Sequence, residues 1–110
     1  MKNPKVNILV LNWNGKKVLS DCIKSIKKSD YTNYSITIID NGSFDNSISE
    51  FINDKDIHII KINQNLGFAA GYNYAFSKLK SSKDKYYLIL NNDTIMNINT
   101  IATLVKSIQK

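Results

Sequence analysis

Residues 6–15 read VNILVLNWNG: an apolar run at 6–11, broken only by Asn7, that stops at Asn12-Trp13-Asn14-Gly15. The run is too short for a helix and too continuous for a strand with one wet face. It reads as a strand covered on both sides. Three more short, β-branched runs follow at 35–39, 57–62 and 86–90, so that strand starts lie 29, 22 and 29 residues apart. That is close to the size of a strand–helix–strand unit.

The segments between them repeat apolar residues at helical spacing. Val18, Leu19, Cys22, Ile23 and Ile26 form one stripe; Phe68, Tyr72, Ala75, Phe76 and Leu79 form another. Ile98, Ile101, Leu104, Val105 and Ile108 form a third, after the fourth strand. The connection at 45–53 is short, with Ile48, Phe51 and Ile52 as its apolar face. This alternation predicts an α/β fold: an open, mainly parallel sheet in the order 3-2-1-4 with helices on both faces. The polar stretch 81–84 reads as a loop, and residues 1–110 read as a single domain without internal repeats.

Composition agrees with a globular chain. Of 110 residues, 43% are hydrophobic and 22% charged, enough apolar surface for a core without metals or disulfides. The one cysteine excludes an internal disulfide and points to a reducing setting. No apolar run approaches the roughly 18 residues of a membrane span. The net charge of +6 comes from 15 Lys and no Arg, beside 17 Ile and 15 Asn. Readers of nucleic acid favour the bidentate fork of Arg, so no nucleic-acid partner is expected. Much of the charge reads as compositional background, with an anionic ligand or an acidic membrane surface as its remaining use.

In a parallel sheet the segments after the strands share one edge, where open α/β sheets bind ligands. Here they are Asn12-Trp13-Asn14-Gly15, Asp40-Asn41-Gly42-Ser43, Asn63-Gln64-Asn65-Leu66-Gly67 and Asn91-Asn92-Asp93-Thr94. Asn, Asp and Gly are also ordinary turn and cap residues. Asp40 can accept hydrogen bonds from a nucleobase imide or a ribose hydroxyl, or it can brace the turn. Asp93 suits a Mg²⁺ ion that takes one protein carboxylate and completes its shell with phosphates and water; a helix cap is the plainer role. The glycines at 67 and 71 open a helix whose start favours anions. Neither a dinucleotide-binding fingerprint nor a P-loop is present. His58 has no partner for zinc, and Cys22 on its apolar stripe reads as core.

Taken together and in order, four segments resemble the amino-terminal, donor-binding half of a family 2 nucleotide-sugar glycosyltransferase with the GT-A fold. They are Val10-Leu11-Asn12-Trp13-Asn14-Gly15, Ile39-Asp40-Asn41-Gly42-Ser43-Phe44-Asp45, the run from Asn65 to Asn73, and Leu88-Ile89-Leu90-Asn91-Asn92-Asp93-Thr94. The nearest flavour is the rhamnosyltransferase-like branch, where Asn-x-Asp replaces Asp-x-Asp. The resemblance implies that Leu11 and Asn12 line the nucleobase and ribose pocket and that Asp40 meets the pyrimidine. It implies that Asn65 and Gly67 shape the wall near ribose and diphosphate, that Asn91 faces the ribose, and that Asp93 holds Mg²⁺ or Mn²⁺. Such a protein moves a sugar from a UDP- or dTDP-sugar to a saccharide or envelope-glycan acceptor, with inversion. Asn91 in place of an acid makes the metal depend more on the nucleotide.

The family pattern normally continues beyond Lys110 with the acceptor site and the catalytic base. The chain is therefore expected to be the donor-binding part of a longer protein, poor in transfer by itself. Its fourth strand is expected to be an exposed edge that invites a second copy. A cytoplasmic place, at the inner face of the membrane or peripheral to it, goes with this reading. Three other readings compete with it: a sugar nucleotidyltransferase, whose glycine-rich basic signature is missing at 12–15, a non-catalytic α/β nucleotide-binding or interaction module, and a nucleic-acid-binding domain, suggested by the charge of +6.

Overall fold

The computed structural model describes residues 3–79, 83–84 and 86–109. In chain order the elements are β1 (Val6–Asn12), α1 (Leu19–Lys27), β2 (Tyr34–Asn41), a single 3-10 turn (Ser49–Phe51), β3 (Ile57–Ile62), α2 (Phe68–Leu79), β4 (Tyr86–Asn91) and α3 (Thr100–Ile108). The sheet order is β3-β2-β1-β4, and all three pairings are parallel. This is the 3-2-1-4 arrangement expected from the sequence. The register sets Asn12 opposite Asp40 and Leu11 opposite Asn91.

Alternation along the strands divides the core in two. On one side Ile8, Val10, Ile36 and Ile38 pack against Leu19, Cys22, Ile23 and Ile26 of α1, with Phe51, Ile101 and Val105 completing the layer. On the other, Leu9, Ile39, Ile60 and Ile62 lie beneath Tyr72 and Ala75 of α2. Each fully buried isoleucine contributes about 1.5–3 kcal/mol. Asn7 interrupts the run in β1 but is satisfied: its Oδ1 accepts from Thr37 Oγ1 at 2.8 Å and its Nδ2 donates to Asp84 at 3.0 Å.

Coverage of the two faces is unequal. The first carries α1, the 3-10 turn and α3; among the described residues α2 alone covers the second. The expectation of strands buried on both sides therefore holds for β1 and β2 and fails for β4, where Tyr87 and Ile89 are 37% and 46% exposed. On the α2 side Phe76 reaches Tyr87 edge-on at 5.4 Å between ring centroids. The third stripe also differs from its reading: Ile98 lies outside the helix, and only Ile101 and Val105 of α3 are buried. Leu104 and Ile108 instead line an apolar groove of ≈ 160 Å³ beside Tyr86 and Leu88. In the short connection, Ile48 and Phe51 are buried and Ile52 is exposed. Ser81 and Ser82, expected in a loop, lie outside the described residues. No described helix is long and apolar enough to cross a membrane.

Candidate functional site at the carboxyl edge of the sheet

All four strands end on the same edge, and the pleat sorts their last residues by side. Asn12 and Asp40 continue the parity of Ile8, Val10, Ile36 and Ile38 and turn towards α1. Leu11, Asn41 and Asn91 take the other parity and turn towards α2.

The α1-side set is a bracket. Asn12 and Asp40 are 0% and 1% exposed. Asn12 Nδ2 donates to Ser47 Oγ at 2.8 Å, Ser43 Oγ at 3.3 Å and Asp40 Oδ1 at 3.4 Å. Asn12 Oδ1 accepts from Asn92 Nδ2 at 3.0 Å. Ser43 Oγ also accepts the Asn14 backbone N–H at 2.8 Å, and Asn14 Oδ1 accepts that of Phe44 at 2.9 Å. Asp45 accepts the backbone N–H groups of Lys16 at 3.0 Å and Ser47 at 2.9 Å. The loops after β1 and β2 are thus laced together from beneath. Asn12 and Asp40, expected at the nucleobase and ribose pocket, are turned inward by one residue of parity, and Asp40 Oδ1 accepts from Asn12 Nδ2 within the bracket.

The α2-side set forms an open groove of ≈ 300 Å³ lined by Leu11, Trp13, Phe68, Asn91, Asn92 and Asp93. It lies between the ends of β1 and β4, where the strand order reverses and open α/β sheets place their ligands. Residues 91–94 make a turn closed by the Thr94 N–H on the Asn91 carbonyl at 3.1 Å. The Cys22 thiol donates to the same carbonyl from below at 3.6 Å. Burial first, and then the negative charge of Asp93, push that thiol up to about 11, so it stays neutral beneath the turn. Asp93 itself is exposed and caps no helix, since α3 begins after Asn99. Trp13 stands half-exposed, edge-on to Phe44 at 6.4 Å, and Phe68 packs edge-on to Tyr72 at 4.9 Å.

Asn65 and Gly67 sit one strand over. Asn41, 2% exposed, donates to Asn65 Oδ1 and to the Gly67 carbonyl, both at 3.1 Å, and accepts the Leu66 N–H at 3.0 Å. Asn65 Oδ1 also accepts the Gly67 N–H at 2.8 Å. The structure therefore brings Leu11, Asn91 and Asp93 together in one groove. Asn65 and Gly67 stand beside it, joined through Phe68. Trp13, Phe68, Asn41 and Asn92 were not singled out from the sequence. Trp13 shares the parity of Leu11, and that was the available signal.

Among the described residues no three His, Cys, Asp or Glu side chains converge as a metal site. Asp93 is the one carboxylate on the groove. That donor set fits a hard divalent cation that arrives with a diphosphate and keeps its waters, rather than a resident ion held by protein alone. A larger cavity, ≈ 450 Å³ between Lys27, Tyr34 and Lys55, lies at the amino end of β2, away from the strand-end loops.

Residues 7–110 match the glycosyl transferase family 2 profile, and the chain belongs to that family. It is 28% identical over 109 residues to glycosyltransferase GlyG of Streptococcus pneumoniae, which covers 96% of this chain and 35% of that protein. Its fold superposes on the mannosyltransferase PcManGT of Pyrobaculum calidifontis, solved with GDP-Man and Mn²⁺, with a TM-score of 0.85 at 21% identity over 97% of this chain and 33% of the other. Against S. aureus TarS with UDP-GlcNAc the TM-score is 0.80 at 20% identity, over 96% and 31%. The chain thus spans about a third of the length of these proteins.

Proposed function

We propose that this chain is the donor-binding part of a glycosyltransferase that uses a UDP- or dTDP-sugar, with Mg²⁺ or Mn²⁺, and transfers the sugar with inversion to a saccharide or envelope-glycan acceptor. A rhamnosyltransferase-like specificity goes with Asn91 in the position of an acid. The acceptor site and the catalytic base belong to sequence outside residues 1–110. The protein works in the cytoplasm, in reach of the inner membrane face. One observation carries the reading: an exposed Asp93 shares a groove with Asn91, Leu11 and Trp13 where the strand order reverses. The nucleotide-sugar and Mn²⁺ in the fold neighbours support it.

In this reading Leu11 floors the nucleobase and the Trp13 ring packs on it. The Asn91 amide, donor and acceptor at once, meets the ribose hydroxyls. Phe68 closes the groove on the side of Asn65 and Gly67. Asp93 holds the divalent ion, whose contribution when bound is to neutralise charge on the departing nucleoside diphosphate.

The test is an amide NMR titration with UDP and dTDP, with and without Mg²⁺. Metal-dependent shifts are expected at Leu11, Trp13 and residues 91–93. Asp93→Ala should remove the metal dependence and leave the spectrum folded. Well-dispersed peaks that do not move with either nucleotide would sink the proposal.

A further inference from the structure

The middle residue of the Asn91-Asn92-Asp93 turn faces differently from its neighbours. Asn91 and Asp93 are exposed, whereas Asn92 is half-buried and its Nδ2 donates inward to Asn12 Oδ1 at 3.0 Å. Asn12 is in no position to turn away. Its Nδ2 is committed to Ser47, Ser43 and Asp40, which fixes its carbonyl oxygen towards Asn92. A second feature guards the same bond. A Cβ on Gly15 would lie 2.3 Å from Asn12 Oδ1 and 2.3 Å from Asn92 Nδ2, so only glycine leaves room for the two amides to meet. Position 15 and the Asn12–Asn92 bond thus require each other, although the residues come from opposite ends of the chain.

We infer that Asn12, Gly15 and Asn92 form a positioning clasp that anchors the turn to the bracketed floor of the sheet and so sets the placement of Asp93 for a divalent cation. This rests on the donor-site reading above. Ligand groups are commonly oriented by partners that never touch the ion, and removing such partners typically weakens metal binding by about 10- to 100-fold. The clasp gives a single exposed carboxylate the preorganisation that a cluster of acids would otherwise supply.

Two variants open the clasp from different sides. Asn92→Ala removes the donor. Gly15→Ala wedges the amides apart from a position off the groove lining, which separates positioning from any direct contact of Asn92 with a ligand. Two quantities are measured in each: the Mn²⁺ affinity of the UDP-bound protein by electron paramagnetic resonance, and backbone order of residues 91–94 by ¹⁵N relaxation. Both variants should bind Mn²⁺ about tenfold more weakly and show increased disorder confined to the turn, and Gly15→Ala should bind metal-free UDP as the parent does. Unchanged order at 91–94 in both variants overturns the clasp, as does unchanged Mn²⁺ affinity in a parent that binds the ion. If the parent binds neither UDP nor Mn²⁺, the donor-site reading falls. The relaxation data then still decide whether the clasp holds the turn.

Discussion

Asn41 at the end of β2 and Asn65 in the loop before α2 are joined amide to amide at 3.1 Å. The same Asn41 side chain accepts the Leu66 N–H and donates to the Gly67 carbonyl, so one buried residue organises the wall beside the groove. Asn41→Ala leaves those backbone groups without their partner, at an expected cost of about 1–3 kcal/mol. Asn41→Asp keeps the acceptor for Leu66 but sets a carboxylate against two oxygens. Urea denaturation should rank the parent above both variants. Amide exchange at Leu66 should accelerate in Asn41→Ala. Unchanged exchange there would remove Asn41 from that role.

Two glycines with positive φ give a graded test of the same wall. Gly42 has φ +79° and a Cβ there would meet the Gln64 and Asn65 backbone at 2.6 Å; Gly67 has φ +85° and open space around it. Gly67→Ala should therefore cost only the left-handed strain, about 1–2 kcal/mol. Gly42→Ala adds a collision with backbone that cannot rotate aside, and should be the more destabilised of the pair in thermal melts. Equal costs would contradict the described packing of the Gly42 turn on residues 64–65.

Asp45 gives the laced loops a pH dependence. Its carboxyl lies below the ordinary carboxylate value of 3.8 because, against some desolvation, the Ser47 hydroxyl and the Lys16 and Ser47 backbone N–H groups donate to it. A depressed folded value means that the stabilisation is complete above the unfolded value and is lost as pH falls through the folded one. Lowering the pH from 5 towards 2 should loosen residues 14–16 and 43–47. Asp45→Asn should flatten part of that fall; Asp54, lowered by its bond with Lys27, acts in the same window and remains. An identical acid profile in the variant would refute the assignment.

The chain has one tryptophan, and Trp13 lines the groove. Intrinsic emission is therefore a direct reporter. UDP should shift or quench it saturably, and Trp13→Ala should weaken binding by about 1–3 kcal/mol, the usual worth of base–aromatic stacking. Binding with no change in emission would place the nucleotide elsewhere.

Along β4, no strand beyond it is found among the described residues, and Tyr87, Ile89, Leu104 and Ile108 are exposed beside it. Unpaired strand edges invite pairing with another chain. Light scattering at two protein concentrations should show association that grows with concentration, and Ile89→Lys should reduce it. A monomer at both concentrations would exclude self-pairing at this edge.

The sheet was legible in the sequence because four β-branched runs and the stripes between them satisfy the same architecture independently. The α3 stripe was less so: periodicity marks Leu104 and Ile108 as apolar but cannot say whether anything covers them. At the site, Leu11, Asn91 and Asp93 were legible as strand-end residues that meet in one groove. The inward turn of Asn12 and Asp40 was not legible, because motif order carries no parity. Which of two adjacent residues faces inward is decided by where β1 and β2 stop, and that follows from packing several residues earlier.

The inward Asn12 and the groove-lining Leu11 are separated by a single step along β1. Asn12 serves the bracket, while its neighbour Leu11 serves the groove. Substitutions can thus accumulate on the outer positions, altering what is recognised, while the inner amide, carboxylate and hydroxyls keep the loop anchors in place. A strand edge built this way can diversify its ligand without re-solving its own folding problem.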